Sequence, residues 1–174
     1  SEGVEAVLDV ITTGSYFGED TIFDGGVYDT NAEVVAEAEI AVIPSVLIKE
    51  QVEKNQAFAK ALLGHMSRKQ KEKEHEIEHL SVQNAPQRIG CFLLRLGGGK
   101  VLRDVSFNLP YDKTLIAARL GMQPETFSRA LAKLRNETGV EITGINVKID
   151  TLERLSTYAC GACSCEFPCK DTKK

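Results

Sequence analysis

Residues 113–132, Lys-Thr-Leu-Ile-Ala-Ala-Arg-Leu-Gly-Met-Gln-Pro-Glu-Thr-Phe-Ser-Arg-Ala-Leu-Ala, decide the fold. Apolar residues at helical spacing lie on both sides of Gly121, at the position where a turn between two helices needs a positive φ. Pro124 stands in the first turn of the second helix, where its missing N–H would have no intrahelical partner. The pattern predicts a helix-turn-helix. Its predicted buried residues are Ile116, Ala117, Leu120, Met122, Phe127, Ala130 and Leu131.

The second of these helices carries polar side chains that suit the reading of DNA bases. Glu125 and Arg129 are four residues apart and share a helix face with Ser128, near the end that enters the major groove. Arginine can donate a bidentate pair to guanine, glutamate can accept from cytosine, and serine can contact either kind of base edge. Lys133 and Arg135 lie further along and suit phosphate contacts. The alternative is that Glu125 and Arg129 form a plain surface ion pair.

The residues around the helix-turn-helix complete a winged domain. Residues 140–149 form two alternating stretches around Gly144, which is typical of a β-hairpin. Residues 150–158 predict a closing helix, and residues 101–109 alternate like a short strand. A hairpin behind a helix-turn-helix is the wing of a winged helix.

A further helix is predicted to begin at Asn84-Ala85-Pro86 and to end at Gly97-Gly98-Gly99. The glycine triplet is not a phosphate loop, because it lacks the Gly-Lys-Ser/Thr ending and follows no strand. Cys91 lies in the apolar part of this helix and is interpreted as a small buried hydrophobic residue.

Charge is divided unevenly along the 174 residues, whose formal net charge is −4. Residues 1–85 carry 7 Lys and Arg against 16 Asp and Glu, a balance of −9, whereas residues 86–159 carry 11 against 7, a balance of +4. A basic segment can release counterions from a phosphate backbone, and an acidic one would be repelled from it. We therefore expect the second segment to bind DNA. No apolar run approaches the roughly 20 residues of a membrane span, and no signal peptide is evident, so a cytoplasmic location is expected.

The first 44 residues have the character of β-structure. Residues 4–12, 32–35 and 38–43 predict strands, and several glycines between them indicate turns. So few residues make only a thin sheet. They are interpreted as the latter part of a larger β-domain whose N-terminal portion is absent from the chain.

Residues 45–82 predict one long helix, with Ser45 as its cap. Residues 68–79 within it are nearly all charged, which fits either a solvated helix with i,i+4 ion pairs or a dimer helix with a weak polar seam. His75 and His79 have the i,i+4 spacing that could hold a metal, but no acidic or cysteine ligand evidently converges on them.

Three motifs spread along the chain indicate a known family. They are Gly14-Ser15-Tyr16-Phe17-Gly18-Glu19, Ala85-Pro86-Gln87-Arg88-Ile89 and Glu125-Thr126-x-Ser128-Arg129. Together with the order of elements they resemble the cyclic-AMP receptor protein/FNR family of bacterial transcription regulators. The resemblance covers nearly all of residues 4–158. It implies an α+β fold with a partial β-roll, like the jelly roll of cyclic-nucleotide-binding domains, at 1–44, a long dimerisation helix at 45–82, a C-terminal winged helix-turn-helix at 83–159 and a cysteine-rich tail at 160–174.

The resemblance also implies partners and a mode of recognition. In that family the long helix forms a homodimer, each recognition helix reads one half of a palindrome, and RNA polymerase is a partner. The Glu-x-x-Ser-Arg pattern looks like the FNR branch, which implies a TTGA-type half-site. The residues that this assigns to double-stranded DNA are Glu125, Thr126, Ser128, Arg129 and Lys133.

One departure from the family argues against control by cyclic AMP. Cyclic-nucleotide binders of the family carry an Arg-Ser pair after the glycines of the roll, and this pair holds the phosphate. The corresponding stretch here, Val27-Tyr28-Asp29-Thr30-Asn31-Ala32, has no arginine and adds an acid. A cyclic phosphate would meet negative charge without a cationic partner.

Four cysteines crowd together near the C-terminus, with the spacing C-x2-C-x1-C-x3-C. They are Cys160, Cys163, Cys165 and Cys169. Thiolates at short spacing suit a [4Fe–4S] cluster or, as the alternative, a tetrahedral zinc site; a metal-free tail is the third reading. Oxygen-responsive members of the resembled family carry such clusters, which favours iron–sulfur and a signal of redox state, oxygen or nitric oxide. The closeness of Cys163 and Cys165 leaves open a fourth ligand from elsewhere.

Two classes of function follow from these features. The first is a redox-responsive, DNA-binding transcription regulator, with a cluster-free regulator that senses through the roll as a variant of it. The alternative is a small iron–sulfur electron-transfer protein or enzyme subunit with an incidental helical domain. No Ser/His/Asp or Cys/His constellation stands out as catalytic, so no enzyme activity is expected.

Overall fold

The computed structural model describes residues 6–97 and 103–161. These residues form two compact units: the first comprises residues 11–71, and the second comprises residues 6–10, 72–97 and 103–161. None of the helices in this described part is both long enough and apolar enough to cross a membrane. The elements in chain order are a 3-10 turn (Glu19–Ile22), α1 (Ser45–Lys54), α2 (Gln56–Val82), α3 (Ala85–Gly97), β1 (Arg103–Asn108), α4 (Lys113–Arg119), α5 (Pro124–Thr138), β2 (Glu141–Thr143), β3 (Asn146–Thr151) and α6 (Leu152–Cys160).

No β-strand forms among residues 6–44, which are the described part of the predicted β-structure. Their backbone hydrogen bonds close turns instead, as when the Ser15 N–H donates to the Thr12 carbonyl at 3.0 Å. The individual strands predicted at residues 4–12, 32–35 and 38–43 are therefore wrong. Alternation shows which side chains could face a core, but a strand exists only where a neighbouring strand pairs with its backbone.

The glycine-rich motif at residues 14–19 packs against α2 within the first unit. Lys69 Nζ lies 2.5 Å from a carboxylate oxygen of Glu19 and 3.2 Å from the Tyr16 carbonyl oxygen. The Tyr16 ring lies over the His65 ring, with 4.3 Å between the two centroids. Side-chain contacts with a helix, rather than sheet pairing, therefore hold this motif in place.

The single helix predicted for residues 45–82 is two helices. Asn55 lies between α1 and α2 in an extended conformation, with φ −130° and ψ 98°. Its side-chain oxygen accepts the Phe58 N–H at 3.1 Å, so Asn55 caps the start of α2. Asparagine side chains compete with helical hydrogen bonds in this way, which is why they favour helix starts over helix interiors.

A reciprocal cap starts α3. Asn84 Oδ1 accepts the Gln87 N–H at 3.1 Å, while Gln87 Oε1 accepts the Asn84 N–H at 3.0 Å. This is a capping box, which satisfies two backbone donors that a helix start leaves without partners. The new helix predicted at Asn84-Ala85-Pro86 is confirmed, and α3 begins at Ala85.

The core of the second unit lies between α3, α5, α6 and a three-stranded sheet. The strand order is β1-β3-β2 with antiparallel pairing, and Val147 of β3 lies opposite both Phe107 and Ile142. The α+β class expected from the sequence is confirmed by this combination of helices and sheet. Large side chains that are almost completely buried include Ile89, Leu93, Leu94, Ile116, Leu134, Ile149, Leu152 and Leu155.

Gly90 allows α3 to approach α5 and α6 closely. A Cβ at this position would lie 3.0 Å from Ala159 Cβ and 3.4 Å from Leu134 Cδ1, tighter than ordinary contact. Any larger side chain would push these helices apart. Cys91, the next residue, is 3% exposed, which confirms its interpretation as a buried residue.

Candidate nucleic-acid interface

The turn between α4 and α5 is built around Gly121. Asp112 caps α4 by accepting the Leu115 N–H at 2.8 Å. The Met122 N–H reaches back to the Ala117 carbonyl at 2.9 Å, and Gly121 just before it has φ 66°. A side chain would be strained in this left-handed conformation, so the structure confirms the reason for a glycine here.

The helix-turn-helix predicted from the sequence is confirmed. α5 begins with Pro124 at its first position and ends at Gly139, which has φ 74° and donates its N–H to the Arg135 carbonyl at 2.9 Å. All seven residues predicted for the buried face are between 0% and 8% exposed. They anchor α4 and α5 to each other and to the rest of the core.

The polar side chains of α5 that were assigned to DNA all lie on its exposed side. These five residues, called the recognition face below, are Glu125, Thr126, Ser128, Arg129 and Lys133. Phe127, Ala130 and Leu131 between them are buried, so one side of α5 packs on the core and the other faces outward. The outward side is the one that a major groove can receive.

Glu125 and Arg129 do not form the surface ion pair that the sequence left open. Arg129 Nε lies 3.4 Å from the backbone carbonyl oxygen of Glu125 and donates to it. Among the ion pairs of the described residues, none includes either side chain. The Glu125 carboxylate and the two terminal nitrogens of Arg129 therefore remain open to a base edge.

The wing is the hairpin of β2 and β3. Gly144 stands first in its two-residue turn with φ 60°, as a type II′ turn requires, and Ile145 beside it is 55% exposed. The Ile145 carbonyl accepts the Leu109 N–H at 2.8 Å, and β1 pairs with β3, so the hairpin belongs to a three-stranded sheet with β3 at its centre. The strand predicted within residues 101–109 is confirmed, and the closing helix begins at Leu152, two residues later than expected.

Arg88 supports the turn in a way that the sequence did not indicate. Its Nη1 donates to the Leu120 carbonyl at 3.0 Å and its Nε to the Gln83 carbonyl at 3.2 Å. One guanidinium thus binds the carbonyl ends of α4 and α2, which lack intrahelical partners. Polar contacts between distant segments leave no periodic signal, so the sequence offered only the position of Arg88 within a family motif.

Cys160 is the one member of the predicted metal-binding set that the structure describes. It is the last residue of α6 and is partly buried. Cys163, Cys165 and Cys169 lie outside the described residues. Within residues 6–97 and 103–161, no three His, Cys, Asp or Glu side chains converge to hold a metal ion.

The pair His75 and His79 belongs to no such group in the described part of the chain. His79 is 4% exposed, and its Nδ1 lies 3.3 Å from an Arg95 Nη atom. Because arginine can only donate, His79 Nδ1 accepts in this contact. His79 therefore serves the packing of α2 against α3.

A winged helix-turn-helix with an exposed polar helix is the architecture of a DNA-binding protein. Residues 87–158 match the model of the Crp-like helix-turn-helix domain family. The CRP-like cAMP-activated global transcriptional regulator of Mycobacterium tuberculosis is 25% identical over 164 residues, covering 91% of this chain and 72% of that protein. A protein of Lacticaseibacillus casei described as a probable transcriptional regulator, flp, is 26% identical over 159 residues with the same coverage.

A solved structure extends the likeness to the fold. A candidate cyclic nucleotide binding protein from Ruegeria pomeroyi is 30% identical and superposes with a TM-score of 0.52, covering 67% of this chain and 51% of that one. The chain thus spans about half the length of this solved relative. These likenesses support a CRP/FNR-type DNA-binding transcription regulator, as the three motifs indicated. The two curated relatives are regulators rather than enzymes, in line with the expectation from the sequence.

Proposed function

We propose that this chain binds, as a homodimer, a palindromic DNA site with TTGA-type half-sites, and that redox state, oxygen or nitric oxide rather than cyclic AMP controls the binding. RNA polymerase, in the cytoplasm, is the further partner in this proposal. The observation that carries it is the exposed set Glu125, Ser128 and Arg129 on one side of α5, with neither charged side chain in an ion pair among the described residues.

The chemistry of these residues suits the single G·C pair of a TTGA half-site. Arg129 can donate to the guanine O6 and N7 acceptors, while Glu125, one turn earlier, can accept from the amino group of the paired cytosine. Ser128 between them can contact either kind of base edge. Thr126 and Lys133 flank this group and suit phosphate contacts, which fix register without reading sequence.

The exposed surface of α2 supports a dimer. Leu63, Ile77 and Leu80 are 66%, 64% and 43% exposed, and their spacings of 14 and 3 residues are those of coiled-coil core positions. A second copy of α2 would remove these side chains from water. Of the three intervening core positions, 66, 70 and 73, the last two are Gln70 and Lys73, so the seam is expected to be weak and adjustable.

The region that would hold a cyclic phosphate supports a different signal. Residues 27–32 are all exposed, and Asp29 supplies their one charged side chain. The relative from Mycobacterium tuberculosis is named for activation by cAMP. An anionic ligand would need a cationic partner here, and this stretch contains neither arginine nor lysine.

The cysteine tail is the proposed sensor. Cys160 with Cys163, Cys165 and Cys169 would hold a [4Fe–4S] cluster, or zinc as the alternative, and a bound cluster would supply sensitivity to oxidants. The end of α6, where this tail begins, is bonded to the hinge before α3. Gln83 Nε2 donates to the Ala159 carbonyl and Gln87 Nε2 to the Tyr158 carbonyl, both at 3.4 Å. A change at the tail therefore has a short physical route to the hinge.

DNA binding can be tested by fluorescence anisotropy on a TTGA palindrome and on a scrambled duplex of the same composition. Arg129→Ala should weaken binding to the palindrome by about 10- to 100-fold, the usual loss of one bidentate base contact. Lys133→Ala is the control, because a lost phosphate contact should weaken both duplexes alike. Equal losses on the two duplexes in Arg129→Ala would contradict the assignment of Arg129 as a base reader.

The signal can be tested separately by purifying the chain without oxygen, recording its visible spectrum and measuring iron and zinc. We expect a coloured protein that loses iron on exposure to air and loses colour in Cys160→Ser. A colourless, metal-free protein would refute the cluster while leaving the DNA proposal standing. A reversible cluster without sequence-selective DNA binding would support the electron-transfer alternative instead.

A further inference from the structure

The last turns of α2 carry two stripes with different surroundings. Glu76 and His79, with Gln83 just after the helix, lie at helical spacing and face α3 and α4 of the same unit; His79 and Gln83 are each 4% exposed. Ile77 and Leu80, on the neighbouring stripe, are 64% and 43% exposed. The first stripe thus contacts the helix-turn-helix domain, while the second is largely exposed, with only Leu80 near the turn: a Cβ at Gly121 would lie 3.7 Å from Leu80 Cδ2.

Arg119, the last residue of α4, binds Glu76 of the first stripe through an ion pair with two hydrogen bonds. Its Nη2 lies 3.0 Å from Glu76 Oε2, and its Nη1 donates to Glu76 Oε1. The two side chains are 19% and 25% exposed, so water screens the pair only in part. A bidentate arginine–carboxylate pair restricts orientation as well as distance. Asp9 adds a weaker contact, with its Oδ1 3.7 Å from Arg119 Nη2.

Two further contacts hold the same junction. Arg95 donates to His79 Nδ1 at 3.3 Å, and Arg88 joins the Gln83 carbonyl to the Leu120 carbonyl. These contacts lie on α3, whereas Arg119 lies on the helix-turn-helix itself. Arg119 therefore bonds α4 directly to α2, and the turn at Gly121 joins α4 to α5.

We propose that Arg119 is a positioning residue: its pair with Glu76 fixes the orientation of α4, and with it the recognition helix α5, relative to α2. This inference rests on the proposed binding of a palindrome by a homodimer. In such a dimer the separation of the two recognition helices must match the half-site spacing, about one helical turn of DNA or 34–36 Å. The pair would set that separation without touching DNA.

Loss of the pair should change the preferred distance between the two DNA half-sites and leave base recognition unchanged. In Glu76→Gln and Arg119→Gln, affinity for the best palindrome should fall about five- to tenfold, at the low end of usual coupling between sites. Affinity for a duplex with one half-site should stay at the wild-type value, because the recognition face is unchanged. For a palindrome with two base pairs added or removed between its half-sites, the loss of affinity relative to the best palindrome should be smaller in the two variants than in the wild type.

A double-mutant cycle separates the pair from each side chain alone. If the two residues act through each other, Glu76→Gln combined with Arg119→Gln should lose no more affinity than either single variant. Arg119→Lys keeps the charge but loses the two-point geometry, so it should give an intermediate spacing profile. Glu72→Gln, an exposed position one turn earlier on α2, makes the same charge change away from the pair and should match the wild type.

The measurements are anisotropy titrations across the spacing series, sedimentation to record the dimer, and thermal unfolding to record folding. A wild-type spacing profile in both single variants would overturn the inference. So would equal losses on the single half-site, additive losses in the double variant, or loss of the dimer. A wild-type protein that prefers no spacing would contradict the proposed function itself, before any variant is compared.

Discussion

The winged domain, which comprises α3 to α6 and the sheet, and residues 11–44 contain apolar side chains in equally regular patterns. In the winged domain Leu134, Leu152 and Leu155 are completely buried. In residues 11–44, Val34 and Val42 are 69% and 88% exposed. A periodic pattern of apolar residues therefore provides an apolar face, but it does not provide the second element that buries this face. The helices of the winged domain pack against other elements of the same unit, as α3 does against α5 and α6, whereas residues 11–44 form no paired strand.

Truncating one leucine inside the winged domain and one outside it, on α1, tests this contrast most strongly. Leu134→Ala, in the centre of the winged domain, should lower the free energy of unfolding by about 2–5 kcal/mol, because it removes buried methyl groups and leaves a cavity. Leu47→Ala, at a position on α1 that is 51% exposed, should change it by less than about 0.5 kcal/mol. Denaturant unfolding at equal protein concentration measures both. A comparable loss in the two variants would show that α1 packs against an element after all.

Replacing a glycine by alanine should have opposite effects on stability in a turn and in a helix interior. Gly121→Ala should cost about 1–2 kcal/mol, the usual penalty for a side chain in the left-handed region. Gly64→Ala should instead stabilise by up to about 1 kcal/mol, since Gly64 lies within α2 and a Cβ there would meet only Arg68 Nη1 at 3.6 Å. Opposite signs in thermal unfolding are expected. A loss at both positions would mean that α2 has no room at Gly64.

The smallest effect concerns one asparagine in each region. Asn84→Ala removes the cap of α3 and should cost about 1 kcal/mol. Asn31→Ala, at an exposed position, should be neutral within about 0.5 kcal/mol. Parallel denaturant titrations give the two values. If Asn84→Ala proves neutral, the hinge does not depend on the reciprocal bonds with Gln87.

The helix-turn-helix could be predicted because its signals are local. Gly121, Pro124 and the buried face of α4 and α5 lie within twenty consecutive residues, and each has a direct backbone or packing reason. The exposure of Glu125, Ser128 and Arg129 follows from the same helical periodicity. The use of these three residues on DNA stays a prediction until binding is measured.

Other features could not be predicted because they depend on distant partners. The break at Asn55 could not be predicted, because the residue type alone does not show whether an asparagine caps a helix or lies inside one. The strands expected before residue 44 needed neighbouring strands. The contacts of Arg88 and Arg119 join segments 32 and 43 residues apart, and such pairings follow only from packing.

The recognition helix, its turn and the wing could thus be predicted from the sequence, because each depends on neighbours within a few residues. The family motifs are likewise short stretches that the sequence shows directly. The sequence also determined the contrast between a basic DNA-binding segment and an acidic remainder. The pairing of Glu76 with Arg119 at the end of α4 became visible only in the folded chain, because the charged run around Glu76 fitted either a solvated helix or a dimer seam. The physical reason is that a charged side chain carries no record of its partner until the fold brings the two together.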